Sequence, residues 1–436
     1  MENTEQFVGI QVRAQTIDEQ DPAAVFDAIQ EHVPLNAVVL FAGERLRRGP
    51  GHTGGTPFSQ PQIGLDEQGR GIMDRLHGPA EERGIGLVMG IGEERWGYWE
   101  GCPGYTTIGM VDCFGRTHRQ SCVNNPLWRR FQTACIEDAV REHPYLRALM
   151  FMHERSGPLS ALFYRAGYGD GRVPYCFCEH CCRLGRERGL DPQRAREGYA
   201  ELYRLARAAE AGEPAPPDGW FLSIWRLLER YPLLTWDQFW WDSLHDYRAA
   251  LVGAAKAVQR EMPVGFHFQH ATLTHQFLWR AGDDPARVVE FADWVKPSVY
   301  PGCSGSRYRG NLANVHEVLF RDMPKSLAHQ FLSWIMGRDP DMVPDPIETE
   351  GQAAWPAEWV RDEVSRLVRG CDPLPVYAGL GIGVPGGEET ETPELVRGWA
   401  EACYEGGASG ILLSRHYGEM RPELLAAAGE VIRRHS

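Results

Sequence analysis

Eight short apolar runs recur along the chain, and they constrain its fold more than any other feature. They are FVGIQV (7–12), NAVVLFAG (36–43), IGLVMGIG (85–92), LRALMFMHE (146–154), VGFHFQH (264–270), VKPSVYP (295–301), LPVYAGLGIG (374–383) and SGILLSRH (409–416). Runs that are nearly continuous rather than alternating belong to strands covered on both faces, the habit of parallel sheets lying under helices. Helical stretches such as PAAVFDAIQEHV, PLWRRFQTACIEDAVREH and PAEWVRDEVSRLVRG stand between them. Eight strand and helix units predict a (β/α)8 TIM barrel, read as a single domain over 1–436. A doubly wound sheet fits less well, because VRAQTIDEQD follows the first run where that fold places G-x-G-x-x-G.

Two long excursions interrupt this rhythm, one after the second run (44–72) and one after the fourth (155–235). Loops that follow strands carry the functional face of such a barrel. The second excursion contains RAREGYAELYRLARAAEA and WFLSIWRLLERY, so it is expected to be mainly helical and to cover that face. The glycine-rich GLGIGVPGG after the seventh run reads as a loop at a crowded barrel mouth or as a phosphate cradle.

Charge narrows the partners. With 45 Lys and Arg against 59 Asp and Glu, the net charge is -14, which argues against nucleic acid and anionic membrane surfaces. The opening MENTEQFVGIQV lacks a signal-peptide pattern, and no apolar run approaches the roughly 18 residues of a membrane span. A cytoplasmic location is therefore expected. The 14 tryptophans exceed what a core of this size needs, so some are expected to line a cleft.

Eleven cysteines, an odd number in a long chain, point to reduced thiols with a few metal ligands. Cys176, Cys178 and Cys181 form C-x-C-x-x-C within PYCFCEHCC, a spacing that turns three thiolates toward one point. A tetrahedral site then needs a fourth ligand from upstream. Cys102, Cys113 and Cys122 are all placed for it, and spacing does not choose among them.

The stretch FGRTHRQSCVNNPLWRRF (114–131), followed by ALMFMHERSG (148–157) and CFCEHC (176–181), resembles the family-42 glycoside hydrolases. These are β-galactosidases with a (β/α)8 catalytic barrel. The resemblance implies a carbohydrate ligand, a structural zinc on Cys122, Cys176, Cys178 and Cys181, and Glu154 as general acid/base. The residues themselves agree on Glu154, since a carboxyl at a strand end between FMH and RSG is part-desolvated and suited to proton donation. The plainer alternative pairs Glu154 with Arg155 or another basic group in the barrel mouth.

Two departures from that family stand out. His153 occupies the position of the family's Asn, where it is expected to contact a sugar hydroxyl. No acidic residue closes the seventh run, although a retaining glycosidase needs a second carboxylate about 5 Å from the first. Glu388 and Glu389 in the following loop, Glu419 after the eighth run, and Glu93 and Glu94 after the third are the candidates, possible partners at the wider inverting distance as well.

Other strand ends carry polar groups suited to a polyhydroxylated ligand. The two-residue period sets Phe266, Phe268 and His270 on one face of the fifth run and His267 with Gln269 on the other. His270, nearer the strand end, is expected to be the inward one. Tyr300, Arg415 and His416 close other runs, and Trp96, Tyr98 and Trp99 are placed to stack on sugar faces. Two further readings compete with hydrolysis. One is a carbohydrate-binding barrel without hydrolytic activity; the other is a sugar-acid lyase or isomerase using His270, His267 and Arg415. A homo-oligomer is one expectation, and with so little sequence after the eighth run no counterpart to the family's accessory domains is expected.

Overall fold

Each of the eight apolar runs contains a strand. The structure, a computed structural model, describes residues 6–40, 67–92, 105–165, 172–274, 276–387 and 389–436. Its strands are β1 (Phe7–Val12), β2 (Ala37–Leu40), β3 (Gly86–Gly92), β4 (Gly109–Val111), β5 (Thr117–Ser121), β6 (Ala148–Met152), β7 (Val264–Phe268), β8 (Trp294–Val299), β9 (Tyr377–Leu380) and β10 (Gly410–Leu413). Eight of them close a barrel in the order β1-β10-β9-β8-β7-β6-β3-β2. Every neighbouring pair is parallel. Successive barrel strands are spatial neighbours with helices between them, so the fold is the expected (β/α)8 barrel.

The remaining two strands form an antiparallel hairpin between β3 and β6 that the apolar pattern did not reveal. Asp112 organises its turn. The carboxylate accepts the Phe114 and Arg116 backbone N–H groups at 2.8 and 2.9 Å and pairs with the Arg116 and His118 side chains at 2.6 and 2.9 Å.

Local chemistry sets the helix starts. Helices Pro22–Gln30, Pro126–Glu142 and Pro393–Glu405 begin with proline behind Asp21, Asn125 and Thr392, whose side chains accept the first free N–H groups. The crossover from β7 to β8 is made of three short helices, His270–Thr274, Phe277–Gly282 and Pro285–Val288.

The barrel interior has two layers. At the N-terminal end Phe7, Trp294 and Tyr377 pack as an aromatic plug, with the Phe7 and Tyr377 rings stacked at 4.2 Å. Gly265 makes room for it, since a Cβ there would lie 2.1 Å from the Trp294 ring. Above the plug the inward positions turn polar, and Gln11, His267, Lys296, Ser298 and Ser414 are all buried. Filling the bottom with rings leaves the C-terminal mouth as the place where polar groups can meet a ligand.

The excursion after β6 is helical as expected, with helices Pro158–Tyr164, Glu179–Glu187, Pro192–Glu210 and Trp220–Arg230. Buried Arg172 joins it to the segment after β8. Its guanidinium reaches the Leu162 and Phe163 carbonyls at 2.9 and 2.7 Å, and Asn314 O and Glu317 at 2.8 and 2.9 Å. Most of the excursion after β2 lies outside the described residues. Among the described residues, no helix is long and apolar enough to cross a membrane.

Candidate functional site

Strand alternation sorts the end of β6. Met150 belongs to the barrel-interior cluster and Met152 packs against it, so Glu154, two residues on, continues the inward series. Its carboxylate Oε1 lies 3.1 Å from His267 Nε2, with the Glu154 side chain 30% exposed and His267 4% exposed. Arg155 has partners on the hairpin. Its guanidinium turns to the Ser121 carbonyl and to Ser121 Oγ, the latter at 2.9 Å, and so ties the end of β6 to the hairpin.

His267 sits on a chain of buried polar contacts. Ser298 Oγ lies 3.2 Å from His267 Nδ1 and accepts from Lys296 Nζ, also at 3.2 Å. Lys296 Nζ reaches Tyr300 Oη at 3.1 Å and Gln11 Oε1 at 3.4 Å, and Ser414 Oγ donates to the same Gln11 oxygen at 2.6 Å. Burial, reinforced by the Lys296 charge, lowers the His267 pKa against the opposing pull of Glu154. The imidazole is therefore neutral at pH 7, able to donate to a Glu154 carboxylate or accept from its acid form.

The strand between these groups and β10 carries no acid. Inward positions on and after β9 are Gly379 and Gly381, and their space is filled from β8. A Cβ on Gly379 would lie 2.0 Å from Lys296 Cε, and one on Gly381 would lie 2.5 Å from the Tyr300 ring. Glu388 lies outside the described residues, and Glu389 is exposed. Sequence reasoning passed over Glu391, which is buried and accepts the Gly383 N–H at 2.6 Å, pinning the loop after β9. Glu419 sits at the mouth in an ion pair with Arg13 at 2.5 Å, with Arg415 Nε 3.7 Å away. Its strand, β10, stands four places from β6 around the ring. The strands that carry Glu419 and Glu154 thus stand on opposite sides of the barrel.

Both histidine expectations need correction. His153 points into the helix layer, its ring stacked on Phe151 at 5.6 Å and edge-on to Tyr247 at 5.4 Å. The alternation that turns Glu154 inward turns its neighbour outward. On β7 the inward histidine is His267, while Phe266 and Phe268 pack outside among the helices. His270 begins the next helix beyond the strand, where Nε2 meets Ser304 Oγ at 3.1 Å and the ring stacks on Tyr300 at 5.2 Å. Trp96, Tyr98, Trp99, Glu93 and Glu94 lie outside the described residues.

A second constellation lies beside the hairpin. The sulfurs of Cys122, Cys176, Cys178 and Cys181 are buried and all within 4.8 Å of one another. Each also accepts an N–H. Asn124 N donates to Cys122, Val111 N to Cys176 and Asn124 Nδ2 to Cys181, each at 3.4 Å, and Cys181 N donates to Cys178 at 3.5 Å. Burial pushes the Cys176 thiol up, while hydrogen bonds from Cys122, Cys176 and Cys181 hold Cys178 down. Four converging sulfurs with amide donors behind them could hold a metal ion. Cys182 turns its sulfur away to the Phe177 carbonyl at 3.4 Å, and Cys113 stands apart from the four.

No protein-family model matches the chain, and no curated protein matches it in sequence. Solved structures do share its fold. The β-galactosidase of Rahnella sp. R3 aligns with a TM-score of 0.57 at 12% identity, covering 99% of this chain and 56% of that one. The β-galactosidase of the psychrophilic Marinomonas ef1 gives 0.56 at 12% identity over 98% and 59%. The catalytic domain of β-amylase from Paenibacillus polymyxa gives 0.55 at 11% identity over 100% of both chains. The chain thus spans 56% and 59% of the length of these two β-galactosidases. At such identities the likeness is one of fold.

Proposed function

We propose that the chain is a carbohydrate-active barrel enzyme of glycoside hydrolase type, with Glu154 as the proton donor. The observation that carries this reading is the Glu154 and His267 pair, 3.1 Å apart at the C-terminal mouth of the barrel. A part-exposed carboxyl held by a neutral, buried imidazole is pre-oriented to protonate a glycosidic oxygen as its bond to the anomeric carbon breaks. The fold shared with β-galactosidases and a β-amylase supports a sugar as the ligand.

The cysteine cluster is proposed as a structural zinc site. A tetrahedral centre with Zn–S bonds of about 2.3 Å sets its sulfurs about 3.8 Å apart. The sulfurs here, which include Cys122 and Cys181 at 3.4 Å and Cys122 and Cys178 at 3.5 Å, need only small shifts to reach that geometry. The ion would clamp the start of helix Pro126–Glu142 to the loop after β6, and no part of the chemistry is assigned to it.

A second reading is favoured by one observation. Gly379 and Gly381 put Lys296 and Tyr300 where a second carboxylate would stand, which supports a carbohydrate-binding barrel that does not hydrolyse its ligand. A panel of aryl glycosides, assayed with the wild type and Glu154→Gln, separates the two. Turnover that the variant loses supports hydrolysis, and saturable binding without turnover supports the second reading.

A further inference from the structure

Two cations meet at Tyr300, and among the described residues neither has an acid within ion-pair distance. Lys296 is fully buried, and its three hydrogen-bond partners, Gln11, Ser298 and Tyr300, are all neutral. The half-buried Arg307 guanidinium lies 5.7 Å from the Tyr300 ring centroid and makes one hydrogen bond, to His270 Nδ1 at 3.4 Å. Among the described residues neither cation forms an ion pair. That is unusual in a chain with 59 acidic and 45 basic residues, because a buried charge is ordinarily paired.

Donor bookkeeping sharpens the point. Ser304 Oγ donates to the Tyr300 carbonyl at 2.8 Å, so it accepts from His270 Nε2–H, which leaves Nδ1 to accept from Arg307. The remaining Arg307 N–H groups have no acceptor among the described residues. An ammonium only donates, so the Tyr300 oxygen accepts from Lys296 and its own hydrogen stays available.

We propose that Arg307 and Tyr300, backed by Lys296, form a subsite for the carboxylate of an acidic sugar, so that the ligand is a uronic acid or its glycoside. The inference rests on the carbohydrate reading above and names the substrate class of the same site. A guanidinium edge and a phenolic hydroxyl match the two oxygens of a carboxylate. The subsite is joined to the proton donor through Lys296, Ser298, His267 and Glu154. β6 and β8 are two strands apart, roughly 10 Å, which leaves room for one pyranose ring between Glu154 and the anion site.

Isothermal titration of the full chain with methyl glucuronide, methyl galacturonide, their neutral glucoside and galactoside counterparts and glucose 6-phosphate tests this. At least one uronide should bind about tenfold more tightly than its neutral counterpart, with that preference lost in Arg307→Met and reduced several-fold in Tyr300→Phe. Lys296→Met is compared only after its circular dichroism melt shows a folded chain. Equal binding of uronide and neutral sugar, or no uronide binding at millimolar concentration, overturns the proposal. So does a preference that survives both Arg307→Met and Tyr300→Phe. Tighter binding of the phosphate than of either uronide overturns the carboxylate assignment. Aryl glycoside turnover is scored separately. Uronide binding without turnover keeps the subsite and sinks hydrolysis, and turnover of neutral glycosides with no uronide preference does the reverse.

Discussion

Glu363 offers the sharpest test of what holds the site's surroundings in place. It is buried on helix Ala357–Gly370 and gathers three arginines: Arg338, Arg280 at 3.1 Å and Arg366 at 3.0 Å. Arg338 also reaches the Leu273 carbonyl, so the cluster pins the segment that begins at His270. Burial opposes ionisation of Glu363, but the charges of Arg338, Arg366 and Arg280 outweigh it and hold the carboxyl at about 2, below its ordinary 4.5. That depression corresponds to about 3 kcal/mol of folding stability at neutral pH. Because the folded-state pKa is the lower one, the contribution is complete above pH 4.5 and is lost as pH falls toward 2. Glu363→Gln keeps the shape and removes the charge. Urea unfolding should find the variant about 3 kcal/mol less stable at pH 7, with the gap about halved near pH 3.3. A variant as stable as wild type at pH 7, or a gap that does not change with pH, refutes the reasoning.

Other expectations follow from the same geometry. Protein purified without chelator should carry about one zinc per chain by metal analysis, and Cys178→Ser should lose both the metal and several degrees of melting temperature. Gly379→Ala forces a Cβ to within 2.0 Å of Lys296 Cε and 2.6 Å of the Pro297 carbonyl. Thermal melts should show a loss of about 1–3 kcal/mol. Gly253→Ala, in an exposed position of helix Leu233–Val258 with nothing within 4 Å, should leave stability unchanged or slightly raise it.

The barrel was legible because its strands are covered on both faces, so each reads as an apolar run that period analysis detects without knowing the neighbours. The hairpin was not, because Gly109–Val111 and Thr117–Ser121 are short and gain their order from the Asp112 carboxylate rather than from hydrophobic pattern. Side-chain direction was the harder problem. Alternation is visible within a run, but which parity faces inward depends on the closed barrel, and His270 had already left the strand. Lys296 stood in plain view in VKPSVYP and was passed over, since a lysine in an apolar run gives no sign of having the Gly379 space to occupy. Arg307 lies inside helix Pro301–His316 and Glu391 on the loop before helix Pro393–Glu405, where no strand period points to the barrel mouth. The cysteine cluster was readable from C-x-C-x-x-C, and the resemblance picked Cys122, which the structure places with the other three.

The central claim, that Glu154 donates a proton to a leaving glycosidic oxygen, is tested most directly by comparing wild type and Glu154→Gln on aryl glycosides of graded leaving-group pKa. The account predicts a loss of about 10²–10⁴-fold for poor leaving groups, shrinking as the leaving group becomes acidic enough to depart without help. A variant that turns over every aryl glycoside at the wild-type rate would contradict it.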